Sequence, residues 1–252
     1  MQIMIGSAKE MRPECSYILS EKTLPLFHDE AFANAMQMTT YGEDELREML
    51  KCNAGIASEN RLRYMRFAEP GNELQAILAY NGVVYKHIHT ENFTLDDFKY
   101  AGSHLWITSF LYGLLRPLDM IKCYRLEGDI VLSNNGCSMF DYWKPILTDM
   151  FIESVKNDDG VLLDLASNEM HKLFDWRKVK REITVVRPEF LVCKCGKLKT
   201  VVIYSKICRG EMTGFVIKNR ICDVGALRGF TYEGFNYLPQ KSTLTSPVFV
   251  LE

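Results

Sequence analysis

No apolar run in this sequence approaches the ~20 residues that a membrane-spanning helix needs. The first residues also lack the basic start and the long apolar stretch of a signal peptide. Glycine and proline are few, at 16 and 8 of 252 residues, which excludes collagen-like and fully disordered chains. We therefore expect a folded cytoplasmic protein with no membrane partner.

The common nucleotide-binding and hydrolase motifs are also missing. The sequence has no G-x-G-x-x-G fingerprint, no G-x-x-x-x-G-K-[ST] phosphate loop and no G-x-S-x-G elbow. Ser7 and Lys9 follow a predicted strand and resemble a Ser/Lys catalytic pair. A strand-end turn with a solvated lysine explains the same pattern more simply, so we assign no catalytic residue.

Residues that bind metals are scarce or scattered. The chain has only five histidines, and its eight cysteines occur in a large chain without an export signal, which indicates reduced thiols. Cys193 and Cys195 form a lone C-x-C pair, and His87 and His89 lie on one side of a possible strand, which is too little to indicate a metal site. We assign no metal site and no cofactor.

Positive charge is concentrated in one segment. Residues 171–220 contain 13 Lys/Arg and four Asp/Glu, whereas the whole chain has 30 Lys/Arg and 32 Asp/Glu. A basic segment on an acidic body is typical of a protein with one face for an anionic partner. A solvated surface whose charges mix with acids from elsewhere in the fold is the simpler alternative.

Strand and helix patterns are mixed without regular βαβ alternation. The pattern predicts an α+β (mixed α/β) fold, in which helices surround a mixed sheet within one compact domain over residues 1–252. Strands are predicted at 2–6, 105–111, 161–166, 184–186, 190–192, 200–204 and 248–251, and helices at 95–102, 138–155 and 205–221. The segment 112–119, which Pro117 interrupts, is predicted to be an irregular loop.

Two helical patterns within residues 43–67 resemble a helix-hairpin-helix element. Gly55-Ile56-Ala57 would form its turn and present backbone N–H groups to phosphate, with Arg61 and Arg63 beside it. An ordinary helical hairpin that buries its apolar faces is the alternative, because the usual turn has two glycines.

Two other places contain arginine or lysine suited to phosphate. Arg116 and Arg125 lie in a loop region flanked by Tyr112 and Tyr124, where they could instead form a buried network with carboxylates. Lys206 and Arg209 lie at the start of a predicted basic helix that Ser205 would cap, with Arg220 near its end. A solvated helix face is the alternative there.

Several short motifs in a fixed order extend over nearly the whole chain. They are Ala8-Lys9, the segment 75–85, the block 111–119, the segment 124–127, Leu165-Ala166-Ser167 with Glu169, Arg209-Gly210 with Met212, Asn219-Arg220, and Gly229-Phe230 with Glu233-Gly234. Through these motifs the chain resembles the peroxide stress protein YaaA family.

The resemblance implies a cytosolic bacterial protein of the response to hydrogen peroxide, which lowers free iron and thereby limits iron-driven damage to DNA. It also implies a mixed α/β unit with a helix-hairpin-helix-like element and a positively charged cleft that binds DNA. The residues at matching motif positions are Lys9, Arg116, Arg125, Lys206, Arg209 and Arg220.

We favour a DNA-binding protein that contacts phosphates and so prefers a DNA structure or binds without sequence specificity. The alternative is an enzyme that acts on an anionic small molecule or nucleic acid in the same cleft, with Glu127 or Asp119 as acid or base. Iron sequestration by Cys193 and Cys195 is disfavoured, because too few ligands cluster around them. The sequence leaves the oligomeric state open.

Overall fold

The computed structural model describes residues 1–17 and 19–252. Its strands are β1 (Gln2–Gly6), β2 (Glu73–Gln75), β3 (Leu105–Ser109), β4 (Gly113–Leu115), β5 (Met120–Lys122), β6 (Val161–Asp164), β7 (Thr184–Val186), β8 (Glu189–Lys194), β9 (Lys197–Thr200), β10 (Phe235–Tyr237) and β11 (Val248–Leu251). Its α-helices are α1 (His28–Met38), α2 (Glu43–Met49), α3 (Ala54–Met65), α4 (Ala76–Ala79), α5 (Val83–Lys86), α6 (Leu95–His104), α7 (Met139–Lys156), α8 (Trp176–Glu182) and α9 (Val202–Asn219). No α-helix in these residues is both long and apolar enough to span a membrane.

The central sheet has five strands in the order β4-β3-β1-β6-β7. Strand β1 pairs in parallel with both β3 and β6, and β7 extends the parallel part beyond β6. Ile3, Met4 and Ile5 are all fully buried, so both faces of β1 are covered, as in the middle of a parallel sheet. Since β1, β3, β6 and β7 run the same way, the segments that follow them meet at one edge of the sheet.

Strand β4 reverses the chain beside β3 and pairs with it antiparallel. The reversal passes through Gly113 with φ of +69°, and a Cβ there would meet the Trp143 ring at 2.8 Å. The segment 112–119 was expected to be an irregular loop, which is wrong for residues 113–115. A backbone that only glycine adopts easily allows this short return strand.

A second sheet has the order β10-β11-β8-β9, and β2 pairs with β5 in a separate small ribbon. Aromatic rings pack on the second sheet, for example Phe249 against Phe230 at 5.3 Å and Phe190 at 5.7 Å between ring centroids. One cluster of buried side chains includes residues of both larger sheets. The predicted α+β class with mixed sheets is therefore confirmed.

Helices α2 and α3 form a hairpin, but its turn differs from the prediction. Asn53 caps α3, its side chain accepting the N–H of Ile56 at 2.9 Å, so the helix begins at Ala54. Gly55-Ile56-Ala57 therefore lies within the first turn of α3. The chain reverses before it, where Lys51 has φ of +48°.

Helix α9 begins earlier than predicted. Strand β9 ends at Thr200 and the helix follows at Val202, so the predicted strand 200–204 and the Ser205 cap are wrong. A run of Val, Val, Ile and Tyr favours a strand by propensity, yet Val202 and Ile203 are exposed in the helix. Close packing further along α9 outweighs this local preference, because a Cβ on Gly210 would meet the Val84 carbonyl oxygen of α5 at 2.3 Å.

We expect Gly210→Ala to lower the free energy of unfolding by about 1–3 kcal/mol, because the methyl group would push α9 away from the α5 backbone. Gly102→Ala is a matched control in the interior of α6, where a Cβ meets only Leu118 at 3.7 Å. That variant should gain roughly 0.5–1 kcal/mol from helix propensity. Urea denaturation measures both values, and equal effects would contradict the packing argument.

Candidate functional site

A cavity of about 490 Å³ lies at the edge where the parallel strands end. Gly6 ends β1, Phe110 follows β3 and Leu165 follows β6, and all three line it. Parallel sheets bind ligands at the carboxyl ends of their strands, particularly where the strand order reverses direction. The order reverses at β1, because the chain continues from β1 to β3 on one side and later reaches β6 on the other side.

Positive side chains outnumber negative ones in the cavity wall. Three lining residues are acidic, namely Glu10, Glu127 and Glu169, and five are basic, namely Lys9, Lys86, Arg125, Lys206 and Arg209. The basic residues come from different parts of the chain: the segment after β1, helix α5, the segment after β5, and helix α9. The structure thus brings together four of the predicted residues, Lys9, Arg125, Lys206 and Arg209.

Glu127 compensates two of these charges. One carboxylate oxygen lies 2.8 Å from Lys9 Nζ and the other 3.5 Å from an Arg125 guanidinium nitrogen. Arg125 Nε and Glu127 Oε1 are buried and have no hydrogen-bond partner in residues 1–17 and 19–252. Buried polar atoms are nearly always paired, so the Arg125 Nε–H is available to an anionic ligand in the cavity, whereas Glu127 Oε1 already faces the Arg125 guanidinium.

The charges of Lys206 and Arg209 have no such compensation. Neither side chain forms an ion pair within the part of the chain that the structure describes. Burial lowers the pKa of Arg209 and the neighbouring charge of Arg187 lowers it further, whereas the Asp164 carboxylate offsets part of this decrease. An anion bound beside Arg209 would relieve both effects.

Arg187 is a basic residue near this site that sequence reasoning missed. It follows β7 directly and donates to Asp164 Oδ2 at 2.6 Å, where Asp164 ends β6. The same oxygen lies 2.7 Å from His171 Nε2, and the His171 ring stacks on Trp176 at 3.8 Å. The sequence could have indicated Arg187 through its position directly after a predicted strand, since residues that follow parallel strands lie at the ligand-binding edge of the sheet.

A hydrogen-bonded network of buried tyrosines lies next to the cavity. The Tyr124 hydroxyl lies 2.7 Å from Ser109 Oγ and 2.8 Å from the Tyr80 hydroxyl, and Tyr85 donates to the Gly6 carbonyl at 3.0 Å. Burial raises the pKa of Tyr124 to about 12. The network therefore stays protonated near neutral pH and holds the ends of β1 and β3 in place.

Arg116 lies at the opposite edge of the sheet. It donates to Gln2 Oε1 at 3.2 Å and to the Leu105 carbonyl at 3.3 Å, both at the starts of parallel strands. Its guanidinium stacks on Trp106 at 3.3 Å, and burial lowers its pKa to about 10. Arg116 does not line the cavity, because β4 carries the chain back from the cavity edge.

Arg220 is also separated from the cavity lining. It adopts a left-handed conformation with φ of +52° after the last turn of α9 and pairs with Asp97 Oδ1 at 2.8 Å. Its guanidinium lies 4.7 Å from the centroid of the Tyr100 ring. These contacts fasten the end of α9 to α6, and Arg220 does not line the cavity.

The hairpin arginines lie on α3, outside the cavity lining. Arg63 pairs with Glu59 at 2.6 Å one helical turn away, and the Nε atom of Arg61 is buried without a partner in the described residues. The hairpin nevertheless touches the segment after β5. Tyr64 donates to the Arg125 carbonyl at 2.7 Å, and Lys51 pairs with Asp129 at 2.5 Å.

Of the two carboxylates considered as acid or base, only Glu127 lines the cavity. Asp119 accepts hydrogen bonds from Thr23 Oγ1 at 2.6 Å and from its neighbouring backbone, the Arg116 N–H, at 2.7 Å. Burial raises the pKa of Asp119, and these contacts hold it within its own loop.

We expect Arg116→Ala to lower the free energy of unfolding by about 2–4 kcal/mol, because it removes a cation–π contact and charge-assisted hydrogen bonds. Arg209→Ala is the matched control and should cost less than about 1 kcal/mol, because its charge has no partner to lose. Urea denaturation of both variants checks this. A larger loss for Arg209→Ala would contradict the assignment of a structural role to Arg116 and a ligand-binding role to Arg209.

Comparison of the chain with known proteins shows its family. The protein-family model described as "Peroxide stress protein YaaA" matches residues 1–241. A "UPF0246 protein" of Phocaeicola vulgatus is 51% identical over 253 residues, covering 100% of this chain and 99% of the relative. "UPF0246 protein BF3795" of Bacteroides fragilis is 50% identical, covering 99% and 98%, and a "UPF0246 protein" of Porphyromonas gingivalis is 41% identical, covering 91% of each. The chain belongs to the peroxide stress protein YaaA family.

Proposed function

We propose that this protein binds DNA during the response to hydrogen peroxide and holds phosphate groups in the cavity at the carboxyl edge of the central sheet. The observation that carries the proposal is the convergence of Lys9, Arg125, Lys206 and Arg209 on one cavity from distant parts of the chain. The family description supports the link to peroxide stress.

The partner class follows from the charges. Lys206 and Arg209 form no close ion pair among the described residues, so phosphate would supply a counter-charge in direct contact with them. Lysine and arginine contacts to phosphate position a protein on DNA and carry no sequence information. Binding should therefore prefer a DNA structure or be non-specific, and it should weaken as salt rises.

The α2–α3 hairpin provides a second contact in this proposal. It lies next to the cavity through the Tyr64 contact to Arg125 and the Lys51 contact to Asp129. A DNA strand with one phosphate in the cavity would place its neighbouring phosphates near the hairpin. Arg61 and the first turn of α3 would meet them there, as the helix-hairpin-helix interpretation predicts.

The biological role proposed is protection of DNA from hydroxyl radicals that iron produces from peroxide. The cytoplasm is the proposed compartment. A protein bound to DNA phosphates would lie where iron otherwise associates with the same anionic groups.

An enzyme that acts on an anionic small molecule or nucleic acid is the second candidate. It is favoured by Glu127, a nearly buried carboxylate in the cavity with Lys9 at 2.8 Å. A volume of about 490 Å³ also lies within the ~300–1,000 Å³ of small-molecule pockets. In this case Glu127 would accept or donate a proton while the basic residues hold the anion.

We expect a Lys206→Ala/Arg209→Ala double variant to bind DNA more weakly and with a smaller salt dependence. The slope of log K against log salt should fall by about two, one for each lost phosphate contact. Titration of labelled duplex, single-stranded and branched DNA at several salt concentrations measures the slope.

Lys197→Ala/Lys199→Ala is the control for that experiment. It removes two exposed lysines of β9 from the same basic segment but outside the cavity. Its DNA affinity should stay close to that of the native chain. Equal losses in both double variants would mean that the whole basic segment, and not the cavity, attracts DNA.

Glu127→Gln separates the two candidate functions. If the cavity binds phosphate, removal of this negative charge should raise DNA affinity by up to about tenfold, or 1.4 kcal/mol. If Glu127 is an acid or base, the variant should lose turnover of the substrate while still binding it. A fall in DNA affinity in a folded Glu127→Gln variant would count against the phosphate site.

A further inference from the structure

Two histidines and one glutamate meet outside the cavity. His87 Nδ1 lies 2.8 Å from Glu211 Oε1, and His89 Nε2 lies 3.0 Å from the same oxygen. One ligand atom from each of the three residues lies within 4.8 Å of the others. Sequence alone gives only the two histidines, because Glu211 is more than a hundred residues away on α9.

The fold itself brings this cluster together. Gly210 lets α9 approach α5 so closely that a Cβ there would lie 2.7 Å from His87 Cβ. Glu211 is the next residue of α9 and therefore faces the end of α5. His89 has φ of +57°, an uncommon value for a residue other than glycine, and this conformation is part of how its ring reaches Glu211.

We propose that His87, His89 and Glu211 bind one divalent transition-metal ion. Imidazole nitrogen together with carboxylate oxygen suits zinc, iron, manganese and related ions. Two ligand atoms ~2.1 Å from one ion and at right angles to each other lie about 3 Å apart. The two observed N···O distances of 2.8 Å and 3.0 Å fit adjacent positions around an octahedral ion, and a tetrahedral ion such as zinc needs them to open by about 0.5 Å.

A supporting contact orients one of the ligands. His89 Nδ1 lies 3.1 Å from Glu91 Oε1, while its other nitrogen faces Glu211. Metal-binding histidines usually have such a carboxylate partner on the second nitrogen. The side chains of Glu211 and His87 are 15% and 26% exposed, whereas that of His89 is 44% exposed. The site is thus backed by protein and open on one side, where water would complete the coordination.

The site is separate from the proposed phosphate cavity, although both use α5 and α9. A bound ion would join the end of α5 to α9, the two helices that supply Lys86, Lys206 and Arg209 to the cavity wall. Failure of DNA binding would leave this inference intact, and failure of metal binding would leave the phosphate site intact. A glutamate that simply hydrogen-bonds to both histidines is the competing explanation.

Titration of the full-length, chelator-treated protein with Zn²⁺ alone tests the proposal by calorimetry. We expect one ion per chain, a rise in melting temperature on binding, and at least ~10-fold weaker binding in both His89→Gln and Glu211→Gln. His28→Gln is the matched control, because His28 is similarly exposed and lies 3.1 Å from Asp29. Cys193→Ser/Cys195→Ser controls for binding by thiolates, and both controls should keep the native affinity.

X-ray absorption of the zinc-loaded native protein gives a test that needs no variant. Nitrogen and oxygen ligands with the outer-shell pattern of two imidazoles support the site, and sulfur ligands overturn it. Absence of a stoichiometric ion, or unchanged binding in both His89→Gln and Glu211→Gln, would also overturn it and favour the hydrogen-bonded cluster.

Discussion

The parallel pairing of β1 between β3 and β6 is the constraint on which the rest of the structure depends. These strands are buried on both faces, so their register and direction are fixed by apolar side chains such as Ile3 on one face of β1 and Met4 on the other. Because they run the same way, their following segments converge at one edge, while their starts converge at the other. The cavity occupies the first edge, and the Arg116–Trp106 stack occupies the second.

Tight contacts at glycine connect this sheet to the rest of the molecule. Gly113 permits the return strand that separates Arg116 from the cavity, and Gly210 permits the approach of α9 to α5. That approach places Arg209 in the cavity wall and Glu211 beside His87. One close helix contact thus serves two sites of different chemistry, the cavity proposed to bind phosphate and the cluster proposed to bind a metal ion.

Much of the fold could be predicted from local sequence. The bounds of β1, β7 and β11 are those predicted. Thr94 caps α6, and Asp97 completes the capping box. Both kinds of feature can be predicted because short buried runs and helix caps are local sequence signals. The start of α9 could not be predicted, since its packing against α5 involves residues far away in sequence. The motifs that identify the family also could not separate Arg116 from Arg125, because a three-residue return strand decides which edge each residue reaches.

The central claim is that phosphate binds at the cavity edge and not at the opposite edge. Nuclear magnetic resonance of the arginine Nε–H groups during addition of a short DNA duplex tests it most directly. We expect the Arg125 and Arg209 signals to shift, whereas those of Arg116 and Arg220 should stay in place. Shifts at Arg116 and Arg220 alone, or no shift at Arg125 and Arg209 under conditions where DNA binds, would contradict it.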